Sequence, residues 1–507
     1  MRKISLFFGA GAEIAYGMPT GGRFALEIFR NENEPAKKIF KEQREKIDKS
    51  KRYAKWLPDN YENKPISSFG KLQYENLVKG GLEHKRKEIL EYMENFDENI
   101  NYIMENFEKE IGLNIKEKIE LFLEKSWDDG DYSHTVQISK SLQREKNIFK
   151  SYSFSRILDL SKSSKNKEII KEAKKVSKAI LELYIGALGE EVVRDLNEGL
   201  FEKRPEWEIF DDFGNVFSLN YSQLGTSGLE IIFNYEVENI NQNSLDVDLV
   251  REFFIKILED IYSKTIDYQD LIDSNWRYLY LPKTDWAKFS KISTFLHTTR
   301  DYIKKIEDKV LENIEAKKIE GYYHDVLEMK TRGIEISCIG TTNYNTFIEN
   351  IIEEKIQFLN GSVNEFYDPY LNRIDSEEKM IGHFYVPFLF TQSGVKPITG
   401  IKMSERYVNF YKKFKESDEI CIIGFGFNHD DGHINGIFRT LIEDDDKKIK
   451  IYHYTDSLYN ILSLKSEYVA KLRIKNDKNL EIICVNKDRK LKNGDIWYKE
   501  LINGDIL

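Results

Sequence analysis

Apolar residues recur along this chain in two rhythms. One is a short, nearly unbroken run of strand formers, found at Ile4, Leu6, Phe7 and Phe8, then at residues 334–340, 419–423, 449–454 and 480–485. Runs of this length, closed by glycine or a polar turn, predict buried strands of an α/β sheet. The other rhythm is the step of three and four in Ile169, Ala173, Val176, Ile180 and Leu183, which puts all five on one helix face. Segments near 85–126, 248–264 and 300–319 share that patterning. Leu26, Ile28 and Phe29 continue a helix near the start, and further helices are expected over 346–357 and between the last two strands.

The strand-like runs are confined to the two ends of the chain. From about 31 to 330, Lys, Glu, Asn and aromatic residues dominate, with little strand-and-glycine punctuation. The chain therefore reads as a discontinuous α/β domain with a parallel sheet, residues 1–30 and 331–507, interrupted by a large, mainly α-helical insertion, residues 31–330. Inside the insertion, residues 213–233 are broken by Gly, Asn and Ser. Two readings fit them: a strand pair or lid, or a loop within the helical domain.

Bulk properties narrow the function classes. A length of 507 residues leaves room for two or more cores. With 76 basic and 86 acidic residues the net charge is −10, which argues against a protein built to grip nucleic acid backbones. No G-x-x-x-x-G-K-[ST] phosphate loop occurs. Cys338, Cys421 and Cys484 lie far apart in apolar runs and are expected to be buried, reduced thiols. Their number and spacing cannot supply the four ligands of a zinc ribbon. No run approaches the roughly 20 apolar residues that span a bilayer, so a soluble, cytoplasmic protein with no membrane partner is expected.

Candidate chemistry gathers at the ends of the strands. Gly9-Ala10-Gly11 closes the first run, either as a structural turn or as a turn whose glycines let a pyrophosphate approach a following helix. Ile14 stands where the dinucleotide fingerprint G-x-G-x-x-G would have its third glycine. Residues 341–345 read Thr-Thr-Asn-Tyr-Asn. There Asn343 is suited to hold a ribose hydroxyl or an attacking water, or equally to cap a helix.

His383 falls in residues 380–390, two places after Ile381. On a strand those two would share a face roughly 7 Å apart. An imidazole there would suit a general base near neutral pH; the other reading is a histidine at the surface or supporting its neighbours. Gly424, Gly426 and Asn428 follow the fourth run, and then come His429, Asp430, Asp431 and His433. This acid-rich turn reads as a helix start or as donors for a metal, and no metal is assigned to it.

Three of these segments together resemble the sirtuin family, in its bacterial antiviral-defence branch: GAG followed by Gly17-Met18-Pro19-Thr20-Gly21-Gly22-Arg23, then residues 341–345, then 424–428. The resemblance implies a Rossmann-like, sirtuin-like NAD-binding domain. Gly9, Ala10, Gly11, Pro19 and Arg23 would form the cofactor entrance, with Glu13 where the family usually has Ser. Thr341, Thr342 and Asn345 would flank the catalytic Asn343, with Asn345 replacing the family's Asp. Gly424, Gly426 and Asn428 would line the adenosine side, and His383 would act as base, Ile381 occupying the family's His position.

The function so implied is NAD hydrolysis to nicotinamide and ADP-ribose, with NAD as substrate and no zinc, in an effector of anti-phage defence. The alternative is a non-catalytic sensor of NAD or an ADP-ribose derivative. A homo-oligomer is expected, as is a phage-derived trigger or a partner defence protein, with the helical insertion governing assembly or gating.

Overall fold

The computed structural model describes residues 3–19, 21–128, 148–194, 221–235, 243–266, 276–316, 318–389, 400–428, 431–455 and 460–503. In chain order its strands are β1 (Lys3–Phe8), β2 (Glu335–Thr341), β3 (Gln357–Phe358), β4 (Phe366–Asp368), β5 (Arg373–Asp375), β6 (Val386–Pro387), β7 (Glu419–Ile423), β8 (Lys448–Tyr454) and β9 (Leu480–Val485). Six of them form one parallel sheet in the order β3-β2-β1-β7-β8-β9. With the short antiparallel sheet β5-β4-β6 set aside, the succession is third, second, first, fourth, fifth, sixth, the order of doubly wound, Rossmann-like sheets.

Strand periodicity explains why the sheet is covered on both sides. Ile4, Leu6 and Phe8 of β1 pack into one core with Tyr323, Val326, Met329, Phe347 and Trp497. Phe7 points to the opposite core, with Phe410, Phe414, Ile420, Ile422 and Phe438. Because both faces are buried, these strands are continuous apolar runs rather than alternating ones.

The chain folds into two compact units. One, which carries the sheet, comprises residues 1–20, 31–68 and 269–507; the other comprises 21–30 and 69–268. The sheet unit thus takes in stretches of the Lys- and Glu-rich region, among them Glu34–Glu45 and the 30-residue helix Trp286–Glu315. The second unit is helical among its described residues, with Lys167–Leu188 and Asp246–Thr265 as its longest helices. Ile169, Ala173, Val176, Ile180 and Leu183 are all buried there, as their spacing requires.

Several local expectations are corrected. The helix expected over 346–357 spans only Phe347–Ile352, because Glu353 turns left-handed at φ 55° and the chain re-enters the sheet at β3. Of the stretch 380–390, residue 390 lies outside the described residues, and the rest is not a strand through His383. Gly382 adopts φ 88°, which breaks the extended path, and among the described residues of this stretch only Val386–Pro387 pairs. Ile381 is exposed and His383 half-buried, so the shared face does not exist. Cys338 and Cys421 are buried free thiols, but Cys484 is only partly buried. Of residues 213–233, 213–220 lie outside the described residues, and Thr226–Asn234 is a helix. No helix among the described residues is long and apolar enough to cross a membrane.

Candidate functional site

The sheet order reverses at β1, whose neighbours are β2 and β7. Open α/β sheets bind ligands outside the carboxyl ends of their strands at such a point. The turns after β1, β2 and β7 meet here, and with them most of the residues singled out in the sequence.

The two glycine turns are joined backbone to backbone. Gly9 N–H donates to Ile423 O at 2.9 Å and Gly11 N–H to Gly424 O at 2.9 Å. A Cβ on Gly9 would lie 2.5 Å from Gly424 O, and one on Gly424 would lie 2.1 Å from Ala12 N, at a left-handed φ of 66°. Glycine is required at both turns for the chains to touch. The Ala12 N–H donates to Gly9 O at 3.0 Å, so three amides of this turn are already engaged. The turn leads into a seven-residue 3-10 helix, Ala10–Tyr16. Ala10 and Gly11 are exposed at its start and Pro19 is half-buried beyond its end.

Glu13, on that short helix, is the most unusual group of the site. Its side chain is 2% exposed. Tyr323 OH donates to Oε1 at 2.5 Å, and Asn345 Nδ2 donates to Oε2 at 2.5 Å. Burial outweighs these bonds and pushes the carboxyl up to about 7 from an ordinary 4.5. Asn345 Oδ1 is buried without a hydrogen-bond partner. Turning that amide over would present an acceptor to a protonated Glu13, so the pair is suited to either charge state.

Asn343 completes the cluster. Its Nδ2 donates to Gly9 O at 3.2 Å and to Tyr323 OH at 3.4 Å, while its N–H donates to Thr341 Oγ1 at 3.0 Å. Thr341 Oγ1 in turn donates to Phe8 O at 3.0 Å, and Thr342 N–H donates to the same carbonyl at 3.2 Å. Asn343 does not cap a helix: Thr346 holds that position, its N–H and hydroxyl both donating to the buried Glu307 Oε1. The 341–346 turn is thereby tied at one end to β1 and at the other to the long helix Trp286–Glu315. Asn343 Oδ1 has no partner among the described residues, which leaves it able to accept a bond from a hydroxyl or water.

Other expected residues lie elsewhere. His383 places Nδ1 2.6 Å from Asp368 Oδ2 and stacks on Tyr53 at 4.0 Å, with Tyr370 edge-on. None of its contacts is with Glu13, Asn343 or the glycine turns. Gly426 and Asn428 are exposed beyond Gly424, and Asn428 O accepts bonds from Asp431 N–H and Asn435 Nδ2. Helix Gly432–Glu443 begins directly after Asp431; His429 and Asp430 lie outside the described residues. Arg23 is exposed on helix Gly21–Arg30 of the helical unit, 3.9 Å from Glu27.

Sequence reasoning missed Tyr323, Tyr16 and Glu307. Tyr16 OH sits 3.0 Å from His324 Nδ1 and accepts the Tyr323 N–H, and its ring stacks on Tyr323 at 5.2 Å. The one trace in the sequence is Gly321, where a Cβ would meet the Tyr16 ring at 2.6 Å. No family model matches this chain, and no curated protein matches it.

Proposed function

We propose that the protein is an NAD glycohydrolase acting at the carboxyl ends of β1, β2 and β7, where it cleaves the nicotinamide–ribose bond. The observation that carries this reading is Glu13: a buried carboxyl, raised to about 7, hydrogen-bonded to Tyr323 and Asn345 beside Asn343. Breaking the C1–N bond sends its electron pair to nicotinamide and leaves positive charge on the ribose. Water then adds at C1 and must lose a proton. A carboxyl with a pKa near neutrality is suited to take that proton, and its anionic form favours the developing cation. The open Oδ1 of Asn343 suits it to orient the water or a ribose hydroxyl.

Support also comes from the strand order, which puts these residues where doubly wound sheets take nucleotides. A pyrophosphate over Gly9–Gly11 would exchange with the Gly11-to-Gly424 bond, parting the two turns. Thr341, Thr342, Gly424, Gly426 and Asn428 would line the ribose and adenosine. A role as an effector of bacterial antiviral defence, controlled through self-assembly, belongs to the same proposal.

One observation favours a second reading, a non-catalytic binder of NAD or an ADP-ribose derivative. The imidazole of His383 contacts Asp368, Tyr53 and Tyr370 rather than the Asn343 cluster. Nicotinamide release from NAD by the purified chain separates the two. Release that drops about 100-fold or more in Asn343→Ala, with the melting temperature kept, is expected for the enzyme. Saturable NAD binding without release establishes the binder, and release undiminished in Asn343→Ala moves the site elsewhere.

A further inference from the structure

Beside β4 and β6 the sheet unit holds a cavity of about 510 Å³, within the size range of small-molecule sites. Its polar groups fall into three kinds. The first is an oriented imidazole. Asp368, 1% exposed, accepts the N–H groups of Tyr370 at 2.9 Å and Leu371 at 3.1 Å through Oδ1, and holds His383 Nδ1 through Oδ2. With Nδ1 held by this carboxylate, the ring is fixed in orientation, and Nε2 has no partner among the described residues.

The second kind is cationic. Arg300 donates Nε to Val363 O at 2.6 Å and lays its guanidinium over the Phe366 ring at 4.8 Å. Lys46 is exposed at the rim. Neither makes an ion pair among the described residues; burial pushes the Arg300 pKa down, and the nearby Glu377 carboxylate offsets this only in part. The third kind accepts or shares hydrogen bonds: Glu377, whose Oε1 takes the Tyr385 hydroxyl at 2.8 Å, with Glu378, Gln43, Asn364 and Ser376 around it. An anion alone would satisfy the cations and be repelled by the carboxylates. A molecule with one anionic end and several hydroxyls satisfies both.

We propose that this cavity binds a phosphorylated sugar. The phosphate would lie between Arg300 and Lys46, the sugar hydroxyls would donate to Glu377 and Glu378, and one further hydroxyl would share a hydrogen bond with His383 Nε2. Neither Glu13, Asn343 nor Asn345 lines this cavity, so the assignment stands independently of the NAD reading.

Titration calorimetry of the full chain with ribose 5-phosphate tests it, with inorganic phosphate and free ribose as separate arms. Saturable binding of ribose 5-phosphate, and weaker binding of either part alone, is the expected result. Lys46→Gln and Arg300→Gln should each weaken it about tenfold or more, and His383→Gln should weaken it as well. The exposed position of Lys46 keeps one informative variant free of folding effects. Failure of ribose 5-phosphate to bind, affinity unchanged in Lys46→Gln and Arg300→Gln, or phosphate binding as tightly as the sugar phosphate would each overturn the proposal.

Discussion

At the scale of single residues, Glu13 ties stability to pH. The folded chain holds its proton more firmly than an unfolded chain does, with a pKa of about 7 against 4.5. That difference corresponds to roughly 3 kcal/mol. The contribution is full below pH 4.5 and is lost as pH rises through 7, because above that point the folded state keeps a buried charge. Urea unfolding measured from pH 4.5 to 8 should therefore show stability falling by about this amount from this group alone. Glu13→Gln, which keeps a hydrogen-bonding side chain of the same size, should flatten that part of the slope. An unchanged slope in the variant would mean that Glu13 stays ionised in the fold. The same substitution bears on chemistry, since a group needed to take a proton cannot be replaced by an amide.

Elements meet the site through their turns, and the turns after β1 and β7 are packed without room for a methyl group. Gly424→Ala must place a Cβ about 2.1 Å from Ala12 N at φ 66°, so both the backbone and the contact resist it. A loss of roughly 2–4 kcal/mol is expected by chemical denaturation. Gly426, exposed and with no tighter Cβ contact than 3.3 Å to the Asn428 side chain, should tolerate Ala far better. The strands were legible because burial on both faces writes itself as continuous runs such as Ile4–Phe8, and glycines 9 and 424 mark where those runs stop. Less legible were elements ended by one backbone angle, as at Glu353 and Gly382, where side-chain patterning carries no warning. Within the site, Asn343 and Asn345 stood out as polar residues after an apolar run. Tyr323, 310 positions from Glu13, belongs to no local pattern and becomes visible only when the helix Tyr322–Thr331 covers the sheet.

For the molecule as a whole, the path of the chain decides which pieces are complete. The helical unit is not one continuous stretch, because helix Gly21–Arg30 belongs to it although residues 31–68 do not. That helix buries Leu26, Ile28 and Phe29 to 6% exposure or less, with Phe29 4.4 Å from Tyr74. Arg30 adds a 2.6 Å ion pair with Glu259 and donates to Ile232 O. At about 1.5–3 kcal/mol for each large buried side chain, the three apolar residues alone rival the 5–15 kcal/mol net stability of a typical domain. Residues 69–268 produced alone should therefore retain far-ultraviolet helical signal but melt without cooperativity, with apolar surface left open. Joining residues 21–30 to them through a flexible linker should restore a sharp transition, and Arg30→Ala in the joined chain should lower its midpoint. A cooperative transition in 69–268 without the added helix would show that Gly21–Arg30 is an accessory to this unit rather than part of its core.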